Sequence, residues 1–277
     1  MIIDCHTHIT NLQDLKEYNA KTKDSHFALT MRFLKFSAEY KSEFNKNIDG
    51  LIASNCKIAV IEGFDATADV KKQLAEIKIN IEKRRIVGIK IFLGYQPIFA
   101  DDERLKPVYE FANENNLTVI YHCGVVATAD QKGTFYKYSS DLVRIDDVAV
   151  TYPNVNFVIS HLGFPKMWDT AAIIMKNENV FTDISGLFEG DSKYYPALTK
   201  QFTKDIQVIQ NYWPDIATKI MFGTDYSGDT SELNEVRSYI RVAKRAFKGN
   251  LLKDVFFNNA VRCYPRLGSY IQTCCTE

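Results

Sequence analysis

An α/β fold with parallel strands is predicted by three features of the 277-residue sequence. Short runs of β-branched and apolar residues recur along the whole chain. Longer segments with helical spacing of apolar residues separate them, and such alternation is typical of repeated βα units. Hydrophobic residues make up 46% of the chain, enough to bury a large core. We predict a single domain at residues 1–268, followed by a C-terminal tail at residues 269–277.

Seven runs are predicted to be strands. They are IIDCHTHI from Ile2, KIAVIEGF from Lys57, IVGIKIFLG from Ile86, TVIYHCG from Thr118, NVNFVISHLG from Asn154, NVFTDISG from Asn179 and KIMFGTDYSG from Lys219. An eighth strand would lie in residues 26–52, where HFALTMRFLKF is ambiguous between strand and helix. Eight βα units in about 250 residues is the usual size of a (β/α)8 TIM barrel, regular or distorted. A doubly wound open sheet is the alternative, but no glycine-rich phosphate turn follows Ile3.

Four segments between these runs are predicted to be amphipathic helices. They are DVKKQLAEIKINIEKR, DERLKPVYEFANENN, IDDVAVTYP and ELNEVRSYIRVAKRAF. Pro107 in the second segment either lies in the first helical turn or disturbs the helix. The third segment ends at Pro153, a common stop signal.

Charge and composition exclude two classes of partner. The 34 basic and 34 acidic side chains balance, so we expect no nucleic-acid binding. No apolar run reaches the ~18 residues of a membrane span, and no basic segment of a secretory signal precedes Ile2. The six cysteines form no CxxC motif, so we expect reduced thiols in a cytoplasmic protein. Cys274 and Cys275 are expected in a loosely ordered tail.

Polar residues follow several of the predicted strands directly. His6 and His8 end the first run, His122 and His161 end two later runs, and Asp225 ends the last. In a parallel barrel these strand ends converge on the face that carries the active site. Each motif alone has an ordinary structural explanation, such as a hydrogen-bonded histidine or a turn. Together they form a nitrogen and oxygen donor set suited to zinc, iron, manganese or cobalt.

Strand alternation also assigns the neighbours of the histidine pair. It places Cys5 and Thr7 on the side opposite to the histidines, so Cys5 is expected to be a packing thiol. The same reasoning applies to Cys123. Asp4 is predicted on the side of the histidines, either as a support for the metal ligands or as a hydrogen-bonded core aspartate.

The motifs HTH, YHCG, ISHLG and FGTDYS resemble those of the amidohydrolase superfamily, most of all its amidohydrolase-related branch of hydrolases and decarboxylases. The resemblance covers nearly the whole chain. It implies that His6, His8, His122 and Asp225 hold a divalent metal, zinc foremost, with one ion per chain favoured over two. It further implies that Asp225 also handles a proton and that His161 is a catalytic residue.

The resemblance implies a reaction class rather than a substrate. We expect a metal-activated water to attack an amide, lactone or ester carbonyl of a small, acidic organic molecule. A nonoxidative decarboxylase of an aromatic or unsaturated acid, which would be a lyase, is one alternative. A metal-binding protein without catalysis is the other. The fold type is also compatible with a homodimer.

Three further residues are predicted to contact the substrate. Lys90 falls at the fourth-strand position, where binuclear relatives carry a carboxylated lysine that bridges two metals. A buried ammonium beside a metal is costly without an anion, and either carboxylation of Lys90 or an acidic substrate would meet that cost. We favour one metal, with Lys90 in the pocket but not bridging. Arg144 and Trp168 follow later strands, and loops at strand ends commonly bind ligands.

Overall fold

A computed structural model of the protein describes residues 1–9, 11–22, 26–31, 47–125, 134–188, 191–227 and 233–276. Eight parallel strands follow one another around a sheet in chain order, so the predicted (β/α)8 TIM barrel is confirmed. The strands are β1 (Ile2–Thr7), β2 (His26–Met31), β3 (Ile58–Phe64), β4 (Ile86–Ile91), β5 (Thr118–Tyr121), β6 (Phe157–Ile159), β7 (Val180–Asp183) and β8 (Ile220–Met221). The ambiguous segment at residues 26–52 supplies β2, as predicted.

Helices lie between and after the strands. They are α1 (Leu12–Thr22), α2 (residues 47–54), α3 (Val70–Asn80), α4 (Lys106–Asn115), α5 (Tyr136–Ser140), α6 (Val143–Thr151), α7 (Met167–Lys176), α8 (Tyr195–Tyr212), α9 (Leu233–Ala246), α10 (Gly249–Lys253), α11 (Asn259–Cys263) and α12 (Leu267–Thr276). All four predicted helical segments are helical, in α3, α4, α6 and α9. Pro107 lies in the first turn of α4, where its missing N–H removes no helical hydrogen bond. In the described residues, no helix is both long and apolar enough to cross a bilayer.

The barrel interior is apolar toward the amino ends of the strands. Alternate strand residues, such as Ile3, Phe181 and Met221, form a buried cluster with Tyr264, which follows α11, and Leu267, which begins α12. The carbonyl of Cys263 in α11 accepts a hydrogen bond from Thr118 at the start of β5 (2.5 Å). The side chain of Arg266 donates to the carbonyl of Ile86 at the start of β4 (3.2 Å). Helices α11 and α12 therefore close the end of the barrel opposite to the predicted site.

The C-terminal segment differs from two expectations. Helix α12 covers residues 267–276 and buries Leu267 and Ile271, so most of the expected loose tail is helical. The proposed domain boundary at residue 268 lies within this helix. A disulfide joins Cys274 to Cys56, whose Cα atoms are 5.3 Å apart. The expectation of reduced thiols is therefore wrong for this pair, because α12 brings together two cysteines that are 218 residues apart in sequence.

Strand β1 also departs from simple alternation. Its pairing with β2 shifts register between Asp4 and Thr7, where the amide of His6 bonds to the Asp4 carboxylate instead of a neighbouring strand. Cys5 therefore belongs to the interior cluster, with its Sγ 3.9 Å from Met221 Sδ. Cys5 is a packing thiol, but the assignment of its face by alternation is wrong, because a bulge adds one residue.

Candidate metal centre

The barrel interior becomes polar toward the carboxyl ends of the strands. Lys90 of β4, His122 after β5 and Asp183 of β7 are all buried there, together with His6 of β1. Gly223 follows β8 in the same layer, and a Cβ built on it would lie 3.1 Å from the His6 Cβ. The absence of a side chain at Gly223 therefore leaves the room that His6 occupies.

Two histidines and one carboxylate converge at the seam between the first and last strands. The Nε2 atoms of His6 and His8 lie 3.2 Å and 3.1 Å from the same oxygen, Oδ1 of Asp225. The potential ligand atoms of the three residues all lie within 4.8 Å of one another. Both histidines are buried, whereas about a third of the Asp225 side chain is exposed. The site is therefore open to solvent on the Asp225 side.

The hydrogen bonds of the two imidazoles test whether a cation fits this group. His8 Nδ1 is 3.3 Å from the carbonyl of Met31, and His6 Nδ1 is 3.2 Å from Asp183 Oδ2. Both of these partners only accept, and the Ser185 hydroxyl, 3.0 Å from His6 Nδ1, donates its own proton to Asp183. Each Nδ1 therefore carries the proton, and each Nε2 of a neutral ring has a lone pair. Those lone pairs point at Asp225 Oδ1, which also has only lone pairs to offer. A divalent cation between these three atoms would accept a lone pair from each of them, so the residues fit a metal.

Electrostatics favour the same protonation states. Burial, followed by the nearby Lys90 ammonium, lowers the pKa of His6 to about 4, so this ring is neutral near pH 7. The pKa of Asp225 is lowered despite the opposing effect of burial, chiefly because the His6 and His8 rings lie beside it. A neutral imidazole and an ionised carboxylate are the forms that bind metals.

The predicted catalytic residues have unusual backbone conformations. Asp225 has φ +61°, and His161 and Leu162 have φ +63° and +51°, in the left-handed region that non-glycine residues rarely adopt. The Asp225 amide donates to the His6 carbonyl at 2.7 Å, which ties its backbone directly to β1. Strain of this kind persists where the surrounding structure fixes it and is concentrated at functional sites.

Asp183 is a site residue that the sequence analysis missed. Its Oδ2 accepts from His6, and its Oδ1 accepts from the backbone amides of His161 (3.2 Å) and Ser185 (3.0 Å). The Ser185 hydroxyl contacts the Asp183 carboxylate and lies 2.9 Å from His161 Nδ1. The signal was present in the sequence, because Asp183 ends the run NVFTDISG as the histidines end theirs.

A second group of potential ligands overlaps the first. His6, His161 and Asp183 also place ligand atoms within 4.8 Å of one another. His6 belongs to both groups, but a neutral imidazole has one lone pair. If its Nε2 faces a metal beside Asp225, its Nδ1 keeps the proton that bonds to Asp183. In that arrangement the second group orients His6, and one ion per chain stays a prediction.

His122 lies next to His161 rather than in either ligand group. Its Nδ1 is 3.3 Å from His161 Nε2, and its Nε2 is 3.1 Å from the Val125 carbonyl. The Tyr95 ring packs edge-on against it at 4.9 Å. Neither group of ligand atoms found in the described residues includes His122. Its role as a metal ligand stays a prediction.

Lys90 is a buried cation within the polar layer. Its Nζ donates to the Ser160 hydroxyl at 2.7 Å, and its side chain is almost fully inaccessible. Burial lowers its pKa to about 8, while Asp183 and Asp225 oppose that shift. The two carboxylates outnumber this ammonium, and the leftover negative charge is a further reason for a metal cation to bind here.

Arg144 and Trp168 have partners away from this layer. The Arg144 guanidinium pairs with Asp101 (2.7 Å) and Asp141 (3.0 Å) and lies 4.0 Å above the Phe99 ring. The Trp168 ring, about half exposed, packs 5.9 Å and 5.8 Å from the rings of Tyr212 and Trp213 at the end of α8. The described contacts do not bring either residue to the histidines, so their substrate contacts stay predictions.

The fold is shared with several solved structures. Solved structures with the same fold include an uncharacterised TIM-barrel protein from Bordetella bronchiseptica, at 17% identity and a TM-score of 0.66, covering 96% of this chain and 99% of that one. A 5-carboxyvanillate decarboxylase from Novosphingobium aromaticivorans, solved with manganese, is 14% identical with a TM-score of 0.61 and coverages of 93% and 80%. Dihydroorotase from Campylobacter jejuni is 16% identical with a TM-score of 0.53 and coverages of 95% and 83%. These low identities show the fold alone.

The family assignment comes from the sequence. No curated protein matches the chain. A family model described as amidohydrolase matches residues 3–266, which includes every strand of the barrel except the first residue of β1. The chain therefore belongs to this amidohydrolase family.

Proposed function

We propose that the protein is a metal-dependent hydrolase that directs water onto an amide, lactone or ester carbonyl of a small, acidic organic molecule. The family consists of metal-dependent enzymes, including hydrolases and decarboxylases. The observation that carries the proposal is the meeting of two imidazole nitrogens and one carboxylate oxygen at 3.1–3.2 Å. His6, His8 and Asp225 would hold one divalent metal, zinc foremost, with His122 as the further ligand.

Asp225 is suited to accept a proton. When bound, the metal would supply Lewis acidity that makes water acidic enough to ionise near neutral pH. The Asp225 carboxylate is ionised at that pH because its pKa is lowered. It is also the most exposed member of the group, so it can take up the proton of an attacking water and pass it toward solvent.

His161 is suited to act on the developing negative charge. The Ser185 hydroxyl holds the ring of His161. The hydrogen bond from the His161 backbone amide to the Asp183 carboxylate holds its backbone. Its Nε2 lies 3.3 Å from Nδ1 of His122. A fixed imidazole N–H beside a carbonyl oxygen would stabilise the charge that forms there during attack.

Lys90 supports the assignment of an acidic substrate. Its ammonium is buried with only a serine hydroxyl as its hydrogen-bond partner in the described contacts. The carboxylates of Asp183 and Asp225 act on it without a direct ion pair in the described contacts. A substrate carboxylate would supply such a direct pair, and burial strengthens it. Arg144 already pairs with Asp101 and Asp141, so Lys90 is the better candidate to bind the substrate carboxylate.

A substrate screen in heavy-oxygen water tests the reaction class. Purified, zinc-loaded or manganese-loaded protein is incubated with panels of lactones, amides, esters and aromatic acids. The proposal predicts a ring-opened or cleaved acid that carries solvent oxygen. Release of CO2 without oxygen incorporation would instead establish the decarboxylase, and tight metal binding without turnover would favour the inactive protein.

Matched aspartate variants show whether the site is responsible for turnover. Asp225→Asn should reduce turnover about 100-fold or more, because the proton acceptor and one metal donor are lost. Asp215→Asn removes an exposed carboxylate outside the barrel mouth and should leave turnover unchanged. Equal activity of both variants would contradict the assignment of Asp225.

A further inference from the structure

We propose that Asp4 is a positioning residue that fixes Asp225 against the histidine pair, through a buried hydrogen-bonded contact with Thr224. The inference rests on the proposed metal site, because its consequence is the geometry of the metal donors. Asp4 touches no donor side chain itself. It acts on the backbone on both sides of the site.

The donors stand on opposite sides of the barrel seam. His6 and His8 belong to the β1 segment, whereas Asp225 follows β8, which has only two residues. Backbone hydrogen bonds join the two sides, from Cys5 to the Phe222 carbonyl (2.9 Å) and from His8 to the Tyr226 carbonyl (2.7 Å). Any shift along this seam would change the distance between the imidazoles and the Asp225 carboxylate.

Asp4 holds both sides of the seam with one carboxylate. On its own strand, Oδ1 accepts from the amide of His6 at 3.2 Å. Across the seam, Oδ1 accepts from the Thr224 amide at 3.1 Å and Oδ2 from the Thr224 hydroxyl at 2.7 Å. The Asp4 side chain is fully buried, so water does not compete for these bonds.

Thr224 immediately precedes the residue that needs restraint. Asp225 has a left-handed backbone, and its amide is bound to the His6 carbonyl at 2.7 Å. The Thr224 hydroxyl also accepts from the amide of Tyr226 at 3.3 Å. The Thr224 hydroxyl therefore connects Asp4 to both residues that flank Asp225, in addition to the direct backbone bonds that His6 and His8 make with Asp225 and Tyr226.

Tyr18 provides a matched control within the same network. Its hydroxyl donates to Asp4 Oδ2 at 2.6 Å, the oxygen that Thr224 also uses. Tyr18 lies on α1, and its ring packs 5.4 Å from the ring of Tyr226, a contact that phenylalanine keeps. Removing either hydroxyl takes one hydrogen bond from the same buried carboxylate, but only the change at Thr224 frees the segment that carries Asp225.

Zinc affinity separates positioning from simple stability. Wild type, Thr224→Val, Thr224→Ser and Tyr18→Phe are titrated with zinc against a chromophoric chelator, with thermal unfolding measured alongside. Thr224→Val should lose about 10- to 100-fold in zinc affinity, the usual effect of removing a support of a metal ligand. Thr224→Ser should restore it, and Tyr18→Phe should stay within about threefold of wild type although its stability falls. Equal losses in Thr224→Val and Tyr18→Phe, or none in Thr224→Val, would overturn the inference.

Hydrogen exchange of the metal-free protein tests the same contact without a metal. The amides of residues 220–227 should exchange faster in Thr224→Val than in Tyr18→Phe or Thr224→Ser. Unchanged exchange in Thr224→Val would refute the role of Asp4. Failure of the wild type to bind zinc would refute the proposed metal site, and the exchange data would still decide the role of Asp4.

Discussion

Asp183 Oδ2 lies 3.2 Å from Nδ1 of His6, and both side chains are buried where β7 and β1 reach the polar end of the barrel. This contact fixes the proton of His6 on Nδ1 and directs its Nε2 toward Asp225. A carboxylate behind a metal-binding histidine sets both the orientation and the basicity of the ring. Proximity to His6 and its hydrogen bond lower the Asp183 pKa despite burial, so Asp183 is ionised at neutral pH.

Replacement of Asp183 by asparagine should weaken metal binding. Asp183→Asn keeps the shape of the side chain but removes the charge that holds the His6 proton, so we expect a 10- to 100-fold loss in zinc affinity. A competitive chelator titration measures it. Asp215→Asn, an exposed matched change, should have no effect. Wild-type affinity in Asp183→Asn would show that His6 needs no such support.

Alanine at Gly186 should disturb His161. The new Cβ would lie 2.4 Å from His161 Nδ1, and Gly186 has φ +63°. The left-handed conformation alone costs about 1–2 kcal/mol, and displacement of the ring adds to it. Urea unfolding of the metal-free protein should therefore show a loss of about 2 kcal/mol or more.

Gly50→Ala is the control for this substitution. No atom lies within 4 Å of a Cβ at Gly50, which is within α2 and has no positive φ. Alanine there should leave stability unchanged or raise it by up to about 1 kcal/mol. Similar losses in both variants would mean that the contact with His161 has no special importance.

Because of Lys90, the free energy of unfolding should change with pH in the alkaline range. Its folded pKa of about 8 is below the ordinary value of 10.5, so the unfolded chain binds more protons between these values. The free energy of unfolding must then rise as the pH increases from about 8 to 10.5. Below pH 8 the buried ammonium is charged, and the cost of burying it is at its largest. Over the whole window the gain is about 3 kcal/mol.

A methionine variant isolates this contribution. In metal-free, CO2-depleted buffer, the difference in unfolding free energy between Lys90→Met and wild type should be largest at pH 7 and shrink as the pH rises. Comparing the two proteins at each pH cancels other titrating groups. A difference that is constant from pH 7 to pH 10 would contradict a depressed Lys90 pKa.

The sequence predicted the fold and most of the interior polar layer. Strand-like runs ending in His6, His122, His161 and Asp225 were enough, because parallel strands bring their carboxyl ends to one face. The same rule applies to Asp183, because it lies at the carboxyl end of the run NVFTDISG.

Local backbone irregularity limited the remaining predictions. Alternation misplaced Cys5, because a bulge in β1 changes the register between Asp4 and Thr7. The partners of Arg144 lie far away in sequence or in a neighbouring turn, and periodicity carries no information about such pairs. The disulfide between Cys56 and Cys274 is equally long-range.

The metal content of a histidine-pair variant tests the central claim most directly. Wild type and the double variant His6→Ala, His8→Ala are purified, loaded with zinc, freed of excess ion and measured by elemental mass spectrometry. We predict about one zinc per wild-type chain and none in the double variant, because both Nε2 donors are lost. Full zinc occupancy in the double variant, or an empty wild type, would contradict a metal held by His6, His8 and Asp225.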